Sequence, residues 1–366
     1  MSDCQNDRIS EWRERIRAAA ATGTPLRIVG GASKDFYGRP PLGSPLATGA
    51  YSGIVAYEPS ELSLTARAGT PLAALEATLA GQGQMLAFEP PQFAGGATLG
   101  GAIAAGLSGP RRAAAGAARD FVLGAKIIDG RGDVLNFGGQ VMKNVAGYDV
   151  SRLLVGSLGT LGLLLEISLK LLPLPAATTS LRFAATQAEA LDLMNAYAAQ
   201  PLPISASAWE ETADGGTLTL RLAGSGAAVQ AAQRTLGGEV LDTEAASAFW
   251  RALRDQRAAF FATDTPLWRL SLASTTPPLA LAGTTLIEWG GSLRWLRSDA
   301  DAATIFNAMA TRGGGAHAAL FRGPEPARAA GVFQPLPPPL LALQRGLKQR
   351  FDPAGIFNPG RMYPEF

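Results

Sequence analysis

Apolar positions alternate between two periods along this chain. Ile9, Trp12 and Ile16 recur at helical spacing and predict an amphipathic opening helix over 8–21, ended by Gly23 and Pro25. Residues 26–29 read as an apolar strand running into a Gly/Ser loop at 30–35. Pro40, Pro41, Gly43 and Pro45 mark an exposed loop. A short strand is expected over 54–57. Leu62, Leu64 and Ala66 alternate with polar residues, as in a half-buried strand. Thr70 as cap and Pro71 at the first helical position predict a helix with Leu72, Leu75 and Leu79 on one face, stopped by Gly81 and Gly83. Residues 122–128 and 133–137 flank the turn Asp129-Gly130-Arg131-Gly132 and form a hairpin. A short helix over 148–155 and a long strand over 161–172 follow.

Pro173 and Pro175 mark a change of pattern. Strands expected at 181–184, 205–210, 218–222, 267–272 and 286–296 alternate with helices at 187–199, 226–236, 245–261 and 299–311. This predicts an α+β layer, an antiparallel sheet with helices on one face. Six prolines between 323 and 339 read as a linker. A last helix is expected over 340–351.

Composition narrows the classes. At 366 residues the chain suits two domains with full cores. Hydrophobic residues make up 47% and charged residues 17%, as in a globular protein. The net charge of +2 gives no argument for nucleic acid or an anionic membrane surface. The single cysteine, Cys4, excludes an internal disulfide and a cysteine-ligated cluster. The single histidine, His317, excludes a two-histidine metal site and a histidine relay, so no metal is expected. The polar N-terminus predicts no signal peptide and a cytoplasmic protein. The apolar run 153–174 carries Glu166 and Lys170 and reads as a buried strand, not a membrane span.

The chemistry concentrates in residues 90–109, where six glycines lie between Gly95 and Gly109 with almost no charge. Thr98 can cap a short helix over 99–105 whose N–H groups would suit an anion, above all a pyrophosphate. No Gly-Lys-Ser/Thr closes the stretch, so it is not a P-loop. Taken alone it could equally be close packing of small residues. Upstream lies Leu26-Arg27-Ile28-Val29-Gly30-Gly31-Ala32-Ser33-Lys34-Asp35. Downstream lie Lys143-Asn144-Val145-Ala146-Gly147-Tyr148-Asp149 and Gly156-Ser157-Leu158-Gly159-Thr160-Leu161-Gly162. Three small-residue loops beside strands and helices suggest one long ligand held mainly by backbone.

This order of motifs resembles the FAD-binding domain of the vanillyl-alcohol oxidase / p-cresol methylhydroxylase (PCMH) flavoprotein superfamily. Within it the chain is similar to the FAD-binding E subunits of bacterial glycolate oxidases. The likeness runs to Phe351-Asp352-Pro353-Ala354-Gly355-Ile356-Phe357-Asn358-Pro359-Gly360-Arg361 near the C-terminus. The resemblance implies a PCMH-type FAD-binding domain of two subdomains over 1–175, a cap domain over 176–330, and a C-terminal segment, 331–366, returning to the flavin. It implies FAD contacts from Gly30, Gly31, Ala32, Ser33 and Lys34, from Pro90, Gly95, Thr98, Leu99, Gly100, Gly101, Ser108 and Gly109, and from Gly147, Tyr148, Gly159, Gly162 and Asn358. At Ala32 a third glycine is common in the family. If that position needs φ > 0, the loop must shift or carry strain. Tyr148 and Asp149 have helix start and cap as an alternative. The 30–35 loop holds no histidine or cysteine, so a non-covalent flavin is expected.

The resemblance further implies oxidation of glycolate, a small 2-hydroxy acid, to glyoxylate. The partners would be a second FAD-containing glycolate oxidase subunit and an iron–sulfur subunit, with membrane contact only through them, at its inner face. No catalytic base stands out, and a supporting or electron-transfer role stays open. In the cap, Arg251, Arg254, Arg257, Arg269 and Arg294 are interleaved with Trp250, Trp268, Trp289 and Trp295. Arginine grips carboxylates through paired hydrogen bonds, but these arginines would equally form a solvated face or a docking surface. Two other readings stand beside this one: a stand-alone FAD-linked oxidoreductase for another hydroxy acid, sugar acid or alditol, and a vestigial flavin fold kept as a scaffold.

Overall fold

The computed structural model describes residues 2–93, 95–139, 149–212, 215–313 and 315–366. The opening helix, α1 (Ser2–Thr22), buries Trp12 and Ile16 against Leu26, Leu46, Tyr51 and the C-terminal Ile356 and Phe357. β1 (Leu26–Val29) pairs in parallel with β2 (Ser44–Ala47). β3 (Ile54–Glu58) and β4 (Ser63–Arg67) lead into α2 (Leu72–Ala80) and a short β5 (Gln84–Met85). Thr70 does not cap α2. Its hydroxyl donates to Arg67 O and accepts from Gly53 N, and Pro71 takes the N-cap position without a side-chain bond.

α3 (Leu99–Ala105) and α4 (Arg112–Ala115) come next, then the β6 (Val122–Ile128) and β7 (Val134–Gly138) hairpin, β8 (Leu163–Lys170) and β9 (Leu172–Pro173). Of the helix expected over 148–155, the described part is one 3₁₀ turn, Ser151–Leu154. The sheet order is β3-β4-β8-β6-β7, antiparallel throughout. Leucines of α2 and Leu99 and Ile103 of α3 share one core with Leu64, Ile167 and Leu169 of this sheet.

The second half begins with β10 (Ala177–Ala184), α5 (Gln187–Ala198), β11 (Ile204–Glu210), β12 (Thr217–Gly224), α6 (Gly226–Leu236), β13 (Glu239–Val240) and α7 (Thr243–Arg254). It continues with β14 (Leu267–Ser271), β15 (Thr284–Glu288), β16 (Leu293–Arg297), α8 (Ala302–Ala310) and β17 (His317–Arg322). Eight strands form one antiparallel sheet ordered β13-β10-β12-β11-β15-β16-β14-β17. Helices α5, α6 and α8 cover one face through Leu191 and Met194, Val229, and Ile305 and Met309. Helix α7 departs from the expected single layer. It packs Trp250 and Leu253 on the opposite face, in a cluster shared with Tyr37, Phe93, Ala105 and Leu107 of the first half. The sheet's inner face and the glycine-rich stretch are thus pressed together.

Three further departures have local causes. The strand expected over 286–296 is the β15/β16 hairpin, because Gly290 and Gly291 (φ +65° and +99°) turn the chain between them. The helix expected over 245–261 ends at Arg254, and Gln256 at φ +53° prevents its continuation. The proline-rich 323–339 stretch begins with a helix, α9 (Glu325–Ala330), entered through Pro324 and Pro326. The final helix, α10 (Pro338–Phe351), buries Lys348, whose ammonium bonds Asp352 Oδ2 (2.7 Å) and the carbonyls of Thr160 and Phe357. That knot fastens the C-terminal segment onto the first half.

Candidate functional site

β1 delivers the 30–34 loop to the start of α3, and glycines make the approach possible. A Cβ on Gly31 would lie 1.4 Å from Gly96 O, and one on Gly30 would lie 2.4 Å from Thr98 Oγ1. Ala32 does adopt φ +54°, so the strain anticipated for a non-glycine is carried, not avoided. Arg361 and Arg328 hold the loop from behind. Arg361 donates to Arg39 O and, at 3.1 Å, to Asp35 O; Arg328 donates to Asp35 O at 2.8 Å and to Gly38 O.

The loop lines a cleft. The N–H groups of Gly31, Ala32, Ser33 and Lys34 make no hydrogen bond among the described residues. The Lys34 ammonium donates to Ser33 Oγ at 3.3 Å and lies 5.4 Å from the Phe93 ring, and among the described residues it has no ion pair. Burial pulls its pKa down to about 8, and Asp255 only partly offsets this. Asp255 is itself engaged by Arg254 and Gln92 N. Four unpaired donors and a half-desolvated cation in one concavity fit a pyrophosphate.

The helix α3 does not supply the anion site expected of it. Its first N–H groups are used within the protein: Leu99 N bonds Thr70 O, Gly100 N bonds Ala68 O, and Gly101 N bonds Thr98 Oγ1. Thr98 is the N-cap, as expected, but what the cap completes is packing. Backbone N–H groups without a partner among the described residues lie one loop away, in residues 31–34.

The remaining candidates sort by position. Residues 30–34, Thr98 and Gly101 line one cleft with Leu158, Asn358 and Arg361. Gly100, Gly159 and Gly162 line its continuation beside Thr48 and Ala68. Ser108 and Gly109 line a smaller pocket against the second half. Leu99 is fully buried in the core, Pro90 is buried outside these clefts, and Gly95 is exposed. Gly147 and Tyr148 lie outside the described residues. Asn358 reaches the cleft as a brace: its Oδ1 accepts from Ile28 N (2.9 Å) and its Nδ2 donates to Leu158 O (2.7 Å). Arg361 was absent from the expected contacts, although it closes the Asn358-Pro359-Gly360-Arg361 motif.

Among the described residues, six of the eight non-glycine residues with positive φ mark the same region. Ala32, Leu158 and Asn358 line the first cleft, and Phe93, Gln256 and Trp289 line the pocket against the second half. Such conformations cost energy and persist only where the surrounding structure fixes them.

The cap arginines divide as well. Arg294 is buried and satisfied by the carbonyls of Gly291, Pro277 and Thr276. Arg254 pairs with Glu76 and Asp255 and ties the halves together, while Arg257 donates to Phe93 O from an exposed position. Arg251 is exposed. Of the five, Arg254 and Arg269 line the pocket at Ser108 and Gly109, together with Glu288, and Arg254 is already paired with Glu76 and Asp255. His317, half-buried at the start of β17, has its pKa lowered by burial and by Arg269.

Residues 7–138 match a family model described as an FAD binding domain. Glycolate oxidase subunit GlcE of Escherichia coli (strain K12) is 48% identical over 96% of this chain and 96% of its own length. Glycolate oxidase subunit GlcD of Bacillus subtilis (strain 168) is 45% identical over 21% of this chain and 17% of its own. The solved structure of p-cresol methylhydroxylase with substrate bound superposes at TM-score 0.71, covering 96% of this chain and 87% of that one at 13% identity, a likeness of fold.

Proposed function

The chain belongs to the family of glycolate oxidase subunit GlcE, and we propose that within a multi-subunit glycolate oxidase it holds FAD non-covalently and takes part in oxidising glycolate to glyoxylate. It is an FAD-dependent oxidoreductase with a PCMH-type fold. The observation that carries the reading is the 31–34 loop, whose four N–H groups have no partner among the described residues and which lines one cleft together with Lys34. In this reading the loop grips the FAD pyrophosphate. Gly100, Gly101, Gly159 and Gly162 leave room for the dinucleotide, and Ser108 and Gly109 lie toward the flavin ring. Residues 1–175 form the FAD-binding domain, 176–330 the cap, and 331–366 the returning segment.

FAD, when bound, supplies the two-electron acceptor. The chain's residues bind the anion, fix the loop through Arg328 and Arg361, and shut the pocket with the inner face of the cap. A sister FAD-containing subunit and an iron–sulfur subunit are the proposed partners. Among the described residues no helix is long and apolar enough to cross a membrane, so membrane contact is proposed through those partners.

The test is the visible spectrum of the purified chain before and after anaerobic glycolate. A flavin band that glycolate bleaches, alone or once the partner subunits are added, supports the reading. Absence of bound FAD after reconstitution overturns it.

A further inference from the structure

The pocket between the glycine-rich stretch and the cap holds two ionisable groups with unused capacity. Glu288 ends β15, is 4% exposed, and accepts a hydrogen bond from Trp295 Nε1 at 2.8 Å through Oε1. Its Oε2 has no hydrogen bond among the described residues. Arg269 on β14 shares the pocket, with Ser108 and Gly109 opposite. It makes no hydrogen bond and no ion pair among the described residues, and lies 5.3 Å from the Trp289 ring, which Arg112 also approaches at 4.4 Å. A guanidinium left without a carboxylate, beside a buried carboxyl with a free oxygen, is costly unless a ligand completes it.

Resting on the FAD reading above, we propose that Arg269 binds the carboxylate of a small 2-hydroxy acid and that Glu288 takes the proton from its hydroxyl, making this chain catalytic in its own right. The bonds balance. The O–H bond breaks and its proton passes to Glu288. The Cα–H bond breaks and its hydrogen would leave with the electron pair, as hydride, to FAD. The C=O bond forms, and the acid loses the two electrons that FAD gains.

The electrostatics suit a base working near neutrality. Burial lifts the Glu288 pKa to about 7, against the lowering pull of Trp295 and Arg269. Glu89, from the segment before Pro90, and Glu210 on β11 push it further up. Arg112 on α4 and His317 on β17 feel the Arg269 charge in turn.

The experiment uses the FAD-loaded chain, with partner subunits added if glycolate alone leaves the flavin oxidised. Oxalate, which cannot be oxidised, is titrated by calorimetry, and the anaerobic reduction rate with glycolate is followed against pH. In Glu288→Gln, oxalate affinity should stay within about threefold of wild type while reduction slows at least about 100-fold and loses its rise around pH 7. In Arg269→Met, oxalate binding should weaken at least about tenfold, with partial recovery in Arg269→Lys. Trp295→Phe removes the bond that lowers the Glu288 pKa, so it should move the rise in rate to higher pH. It serves as the second test if Glu288→Gln does not fold. A wild type that is reduced by glycolate, with Glu288→Gln and Trp295→Phe unchanged, overturns this assignment and leaves the FAD reading intact. A wild type that binds FAD but neither binds oxalate nor is reduced, partners present, overturns both the assignment and the glycolate reading.

Discussion

Replacing Asn358 by alanine separates two accounts of the C-terminal motif. The structure makes Asn358 a brace between β1 and the 158–159 turn, through bonds of 2.9 Å from Ile28 N and 2.7 Å to Leu158 O. Alanine would leave both backbone groups unpaired. Each costs about 1–3 kcal/mol when buried, and these sites are partly buried, so the pair amounts to about 2–4 kcal/mol. The residue also sits at φ +40°, which asparagine tolerates better than alanine, adding about 1 kcal/mol. With an unfolding entropy of roughly 2.1 cal/mol/K per residue over 366 residues, a loss of about 3–5 kcal/mol lowers Tm by roughly 4–6 °C. The assay is a thermal melt of the FAD-free and FAD-loaded protein, with FAD affinity measured by fluorescence quenching. The brace account expects the FAD-free melt to drop, and Asn358→Asp, which keeps the acceptor but loses the donor, to fall between. If the FAD-free melt moves by less than about 1 °C while FAD affinity collapses, Asn358 is a direct ligand and the reasoning is wrong.

Other expectations follow from the same geometry. Lys34 holds its proton below about pH 8 in the free protein, and a bound pyrophosphate raises that pKa. FAD affinity should therefore be full below pH 8 and weaken as pH rises through it, by up to about tenfold per unit, and Lys34→Met should bind more weakly with no such slope. Gly31→Ala places a Cβ 1.4 Å from Gly96 O, so the loop must move; at least a tenfold loss of FAD affinity is expected, measured by equilibrium dialysis. Lys348→Ala strands the buried Asp352 carboxylate, which keeps only the Ile356 and Phe357 N–H bonds, and should cost about 3–5 kcal/mol in denaturant unfolding. Unchanged stability there would mean that the C-terminal knot does not hold the fold.

Local signals in the chain were enough for much of the first half. Strand 122–128 and its turn were legible because apolar alternation and Asp-Gly chemistry act between near neighbours. The Thr98 cap, the 99–105 helix and the cost of Ala32 were legible for the same reason. The β15/β16 turn carried its own signal, Gly290-Gly291, but an apolar run through it reads as one strand when neither face is known to be buried.

The sequence by itself determined the family, the glycine loops and a chain that could hold a dinucleotide. Only tertiary structure decided which backbone groups remain free to bind it. The N–H groups at the start of α3 are claimed by Ala68 and Thr70, in the turn after β4 about 30 positions upstream, whereas those of residues 31–34 have no partner among the described residues. Pocket chemistry was hidden likewise. Arg269 stood among five cap arginines with nothing in the chain to set it apart, and nothing marked Glu288, since β16 lies between their strands and Ser108 and Gly109 come from the other half. The physical reason is that a hydrogen bond or a charge is spent or available according to what folding brings within about 3–4 Å of it, and sequence separation does not encode that distance.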